Sequence, residues 1–180
     1  MVFIIIAVII LLILIFFSIY NSLVKSRNSV KQAESGIDVY LKQRFDLIPN
    51  LVECVKGYSK HEKDVLENIV KLRTEYINNK NIDFKQVDDL NKSMNNLIAI
   101  AENYPELKAS EQYLNLQQNL SKIESQLQAA RRIYNSEVTK YNTKINTVPS
   151  NLIAKLFGFK EADLFQIEES QKENIKINLG

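Results

Sequence analysis

The first seventeen residues, MVFIIIAVIILLILIFF, contain no polar side chain, and Ser18 to Val24 add seven more uncharged positions before Lys25. At a rise of ~1.5 Å per residue, about 20 residues cross the ~30 Å hydrocarbon core of a bilayer. A spanning helix over residues 1–24 is therefore expected. A cleaved signal peptide needs a basic stretch ahead of a shorter apolar run and small residues at a cleavage site. A lipoprotein needs a cysteine closing the run, and Cys54 lies far downstream. Lys25, Arg27 and Lys31 follow the apolar stretch, and cations are held on the cytoplasmic side. The expectation is a single-pass protein of the cell membrane with its C-terminal domain in the cytoplasm.

The remaining ~155 residues amount to one ordinary domain, enough to bury a core. With 4 Gly, 3 Pro and no Trp, and with Leu, Ile, Asn, Gln, Lys and Glu dominating, the body favours long helices over a turn-rich sandwich or barrel. Net charge is +2, which gives no basic footprint for nucleic acid. A single cysteine excludes an intrachain disulfide and a thiolate zinc site, and Cys54 among apolar neighbours reads as core filling.

Helical periodicity divides the body. The longest stripe runs Ala109, Tyr113, Leu116, Leu120, Ile123, Leu127, Ala130 and Tyr134, and continues through Val138, Tyr141, Ile145 and Val148 after one extra four-residue step. It predicts a helix from about Glu106 to Asn146. A second stripe, Val87, Leu90, Met94, Leu97, Ala101 and Tyr104, stops at Pro105, making Tyr104-Pro105 a helix-helix corner. Asn78 to Asn81 reads as a loop. Ser59-Lys60-His61-Glu62 fits a capping box behind a left-handed Gly57, and predicts a helix burying Val65, Ile69, Leu72 and Tyr76. The preceding helix carries Val30, Ala33, Ile37, Tyr40, Leu41, Phe45, Ile48, Leu51, Val52 and Val55, and continues from the span. Pro49 sits within it, costing one backbone bond and clashing with the preceding turn, so a kink is expected there, with a true break as the alternative. Four helices joined by short corners predict an all-α, antiparallel up-down-up-down bundle over residues 25–148, with an amphipathic segment and extended tail over 149–180. In that arrangement the end of the fourth helix, at Lys140 and Lys144, returns to the lipid surface.

Catalytic patterns are sparse. His61-Glu62 begins like a zinc-protease helix, but the position of the second histidine is Val65, and His61 is the chain's sole histidine. A Cys54–His61 nucleophile pair has little else to support it. No catalytic, metal or cofactor site is expected. Arg44, Asn50, Glu53, Arg131, Asn135 and Asn142 fall near inner faces, where a glutamate, Glu53 or Glu124, suits Arg44 or Arg131. Such residues either fix helix register or line a binding groove. Lys155, Leu156, Phe157, Phe159 and Lys160 place two cations beside a dense apolar cluster. They either lie on a lipid surface or cap the open end of the bundle.

Several blocks together are specific in order and spacing: IDVYLKQRFDLIPNLV from Ile37 to Val52, Val55-Lys56-Gly57-Tyr58 with Glu62, and Tyr104-Pro105-Glu106-Leu107-Lys108-Ala109. They continue in Ala130-Arg131-Arg132-Ile133-Tyr134-Asn135 with Val138, Tyr141 and Asn142, then Pro149, Ile153-Ala154 and Phe157-Gly158-Phe159. In these blocks, over almost its whole length, the chain resembles the LemA family of bacterial membrane proteins. The resemblance implies an N-terminal membrane helix with a helical-bundle domain and no established enzymatic activity. The expected function is a non-enzymatic adaptor or scaffold of the bacterial envelope that binds another membrane-associated protein, with membrane lipid as a second partner. The alternative is a lipid- or small-ligand-binding module at the membrane surface.

Overall fold

The computed structural model describes residues 1–57, 63–78 and 84–165, and every regular element among them is helical. Helix α1 runs Val2–Asp46, α2 Ile48–Lys56, α3 Lys63–Asn78, α4 Phe84–Glu102, α5 Pro105–Lys108, α6 Glu111–Asn146 and α7 Ser150–Leu156. Helix α1 is long enough, and apolar enough over its first part, to cross a membrane, and among the described residues no protein packs over its side chains from Val2 to Ile15. Unlike the rest of the chain, this stretch has no polar face to turn toward water, so only a hydrocarbon surrounding covers it favourably.

Between α1 and α2, helical geometry persists through Leu47 (φ −82°, ψ −14°), and the Leu51 N–H donates to the Leu47 carbonyl at 3.0 Å. Pro49 sits in the first turn of α2, where its missing N–H has no intrahelical partner to lose. The chain therefore interrupts its ladder for one residue ahead of the proline and resumes. Gly57 does not adopt the left-handed turn expected of it. It is right-handed (φ −65°, ψ −23°), because its N–H still donates to the Glu53 carbonyl at 3.4 Å and the helical path is not yet left. The expected capping box at Ser59 to Glu62 lies outside the described residues, as do most of the 78–81 loop and the tail after Phe165.

Two compact units divide the chain: one of residues 1–31 and 133–180, the other of residues 32–132. In the second, buried apolar side chains recur at three- and four-residue steps: Ile37, Leu41, Phe45 and Ile48 on the α1–α2 path, Val87, Leu90, Met94, Leu97 and Ala101 on α4, and Tyr113, Leu116, Leu120 and Leu127 on α6, with Ile123 half-buried between the last two. The expected α4 stripe is reproduced except that Tyr104 is half-buried. On α3, Leu66 is buried where Val65 was expected, joining Ile69 and Tyr76, whose ring meets Phe45 edge-on with centroids 4.8 Å apart.

The last long helix starts later than its periodicity predicts. Pro105 opens α5, a single turn that buries Leu107. The chain then leaves helix at Ala109-Ser110, and the Leu114 N–H donates to the Ser110 carbonyl at 3.1 Å to begin α6. Serine followed by Glu111 is a helix start in its own right: serine favours the first non-helical position and an acid the first turn. Ala109, assigned to the buried stripe by spacing, is exposed as a consequence, and so is Val148 beyond the other end of α6.

In the first unit, Leu23 and Val30 of α1 and Tyr134, Val138, Tyr141 and Ile145 of α6 are buried, with Ile153 and Ala154 of α7. The two long helices are antiparallel there, with Lys144 Nζ 3.2 Å from Ser22 Oγ. A Schellman turn ends α7: the Phe159 N–H donates to the Ala154 carbonyl at 2.9 Å and the Gly158 N–H to Lys155 at 3.3 Å. This turn requires the left-handed backbone at Gly158 (φ +67°), which a side chain would strain.

Candidate functional site

Polar side chains gather in two places, one in each unit. In the second unit Arg44, only 8% exposed, projects from the last turn of α1. Its Nη1 lies 2.6 Å from Glu124 Oε2 on α6 and donates to Asn91 Oδ1 on α4 at 2.8 Å. One guanidinium thus ties three helices together. Burial lowers the proton affinity of Arg44 while Glu124 raises it. Arg131 is shifted down by its own burial and by Arg44, against Glu124 and Asp88. Arginine titrates so far above neutrality that both remain cationic, and Glu124 is the carboxylate paired with Arg44. Of the expected glutamate partners, Glu124 takes the role. Glu53 and Asn50 are exposed rather than inward-facing, since the helical phase of α2 turns Leu51, Val52, Cys54 and Val55 to the core instead.

Around this pair the polar links are structural in character. Tyr76 donates its hydroxyl to Asp38 at 2.8 Å, and Arg73 donates to the Phe45 carbonyl at 3.0 Å and to Asp46 at 3.2 Å, fastening α3 to α1. The Arg73 bond to the Phe45 carbonyl takes up an acceptor at the α1 terminus, where the last carbonyls have no intrahelical donor. The Tyr113 hydroxyl is buried without a hydrogen-bond partner among the described residues, and burial first, then the charges of Glu102 and Cys54, push its pKa up.

The second gathering lies in the first unit and is formed by two asparagines seven residues apart on α6. Asn142 donates Nδ2 to the Ala162 carbonyl at 2.8 Å and accepts the Ala162 N–H on Oδ1 at 3.0 Å. Asn135 does the same to Phe165, at 3.0 and 2.8 Å. Each amide satisfies both backbone groups of one residue, as a neighbouring strand would. The register follows from two rises: seven helical residues advance ~10.5 Å and three extended residues ~10 Å, so both clasps can close on a straight segment. The tyrosine ahead of each asparagine adds a bond, Tyr141 to the Lys160 carbonyl at 3.0 Å and Tyr134 to the Asp163 carbonyl at 2.9 Å. Residues 160–165 therefore run antiparallel along α6, held by a Tyr-Asn pair repeated at a heptad interval. Thr139, Thr143 and Thr147 turn their hydroxyls back to carbonyls four residues earlier on α6.

Immediately before this strap stands an aromatic corner. The Phe157 ring lies 5.9 Å from Phe16 and 4.8 Å from Tyr20, both on α1. Phe159 lies 6.0 Å from Tyr20, with the Arg27 guanidinium 5.0 Å from its ring centroid. Among the described residues no group of three or more His, Cys, Asp or Glu is placed to hold a metal ion.

The profile of the LemA family matches residues 33–179, a span that includes Arg44, Glu124, both asparagine clasps, and Phe157 and Phe159 of the aromatic corner. The chain belongs to the LemA family. Protein LemA of Metamycoplasma hominis is 28% identical over 171 residues, covering 89% of this chain and 77% of that protein. Two magnetosome proteins of Paramagnetospirillum magneticum, MamQ 1 and MamQ 2, are each 22% identical over 175 residues. Those alignments cover 82% of this chain and 64% of each magnetosome protein, so the chain spans somewhat less than two thirds of their length. This LemA-family chain is all-helical over its described regular elements, and its N-terminal apolar helix marks it as membrane-associated.

Proposed function

We propose that this LemA-family protein is a single-pass, non-enzymatic scaffold of the bacterial envelope, its helical body on the cytoplasmic side and engaging another membrane-associated protein. The body is read as an antiparallel up-down-up-down bundle. One observation carries the reading: α1 passes without interruption from the apolar stretch into the body, where Arg44 and Glu124 tie helices together and Asn142 holds the strap. A chain built in this way presents helical surface at a membrane. The flanking cations Lys25, Arg27 and Lys31 support the cytoplasmic placement.

The test is in-membrane photocrosslinking of the full-length protein, with a photoreactive residue placed singly at exposed positions such as Val70, Leu114 and Ile133. Discrete adducts with one membrane-associated protein, confined to one helical face, are expected. Adducts absent from every position, together with turnover of a small molecule by the purified protein, would overturn the scaffold reading. Orientation is read separately: cysteines introduced in the body should react with impermeant thiol reagents only after the cytoplasmic side is opened.

A further inference from the structure

We propose that the corner between α6 and α7, together with α7, is an interfacial foot that binds anionic phospholipid. Val148, Leu152, Leu156 and Phe157 enter the outer acyl layer, and Lys144 and Lys155 meet headgroup phosphates. The proposal rests on α1 being a bilayer span and adds to it a second, separate membrane contact.

Three observations carry it. First, depth can be read along α1. Lys144 meets Ser22, just past the apolar stretch, whereas the Phe157 ring meets Phe16 and Tyr20, within and at the end of it. The steps from Ser22 to Tyr20 and to Phe16 are two and six residues, ~3 and ~9 Å of helix. That interval overlaps the depth, about 5–10 Å, at which interfacial amphipathic segments lie. Second, the apolar side chains of this corner point outward. Val148 is 73% exposed, Leu152 67%, Leu156 72% and Phe157 49%, while Ile153 and Ala154 on the opposite side of α7 are buried. Leu152 and Leu156 are four residues apart and so share a face. Large apolar side chains clustered this densely in water would be costly, and the acyl layer beside the span covers them with no further protein. Third, the charge at the headgroup level is predominantly positive. Lys25, Arg27, Lys144, Lys155 and Lys160 are all exposed there, and basic side chains near an anionic surface are attracted to it. Glu161, the nearest acid in sequence, is engaged by Asn146 at 2.6 Å.

The chain contains no tryptophan, so a single introduced indole reports on one place. Full-length protein carrying Leu152→Trp, Leu156→Trp or Ile9→Trp is reconstituted in anionic vesicles. These contain phospholipid brominated either near the headgroup end or near the methyl end of its chains. Indoles at 152 and 156 should emit blue-shifted and be quenched several-fold more by the shallow bromines than by the deep ones, whereas the indole at 9 should show the reverse order. Unquenched, red-shifted emission at 152 and 156 with normal quenching at 9 would overturn the foot. Loss of quenching at 9 as well would instead overturn the span on which it rests. In neutral vesicles, or with Lys144→Glu and Lys155→Glu combined, quenching at 152 should fall at least several-fold. Quenching indifferent to both changes would overturn the headgroup assignment.

Discussion

Arg44 shows how much one side chain decides. Its charge is nearly excluded from water and is answered by Glu124 and Asn91, so the guanidinium is stable only while both helices are in place. Glu124→Gln leaves that charge uncompensated. A loss on the order of 2 kcal/mol is expected in urea unfolding, below the ~3–5 kcal/mol of a fully buried pair because the Glu124 side chain is 32% exposed. Combining Arg44→Met with Glu124→Leu should restore most of it, since neither partner is then left alone. Tyr113 presents the opposite case, a buried hydroxyl without a partner among the described residues. Tyr113→Phe removes a desolvated polar atom and little volume, and should be neutral or stabilise by up to ~1 kcal/mol. Burial pushes the phenols of Tyr76, Tyr113 and Tyr141 above their ordinary range, Asp38 adding to it at Tyr76 and Arg27 opposing it at Tyr141. The unfolded chain then loses phenolic protons at a lower pH than the folded one. Stability is thus fully present below about pH 10 and falls as pH rises beyond it, a slope that pH-dependent chemical denaturation can measure. Arg44 and Glu124 were both visible in the sequence as inward-facing candidates. Their pairing was one of several combinations there, because periodicity gives the face of a helix but not its height against a neighbour.

At the level of elements, the buried rhythm of α4 and of the centre of α6 was legible because three-four spacing of large apolar residues has few other uses. Leu127, wholly buried in α6, tests that directly: Leu127→Ala should cost about 2–5 kcal/mol, and a near-neutral result would mean the stripe is not core. Boundaries were less legible. Periodicity alone starts α6 too early because Ala109 fits the apolar rhythm. A local signal, serine at 110 ahead of Glu111, decides the helix start there and overrides the periodicity. The strap over residues 160–165 was not legible at all, although Asn135 and Asn142 were singled out. An asparagine seven residues from another reads equally as a register-fixing polar pair, and only the extended segment reveals that both clasp backbone. Asn142→Ala should release the Ala162 amide to solvent, raising its hydrogen-exchange rate as expected for the loss of ~1–3 kcal/mol, with the centre of α4 unaffected. Unchanged protection at Ala162 would contradict the clasp.

On the scale of the molecule, the chain does not divide at the points where its composition changes. Residues 1–31 group with 133–180, and 32–132 form the second unit, so α1 and α6 each contribute to both. Antiparallel return of a long helix brings sequence-distant segments together: Ser22 and Lys144 are 122 positions apart. The family match begins at residue 33, which leaves the apolar segment to be understood from its own physics. That segment has no polar face, and among the described residues its side chains from Val2 to Ile15 stay exposed, so a bilayer is the surrounding it requires. Washing membranes that contain the full-length protein with alkaline carbonate strips proteins held only by surface charge and leaves spanning helices in place. The protein should remain entirely in the pelleted membranes, and its release into the supernatant would contradict the span.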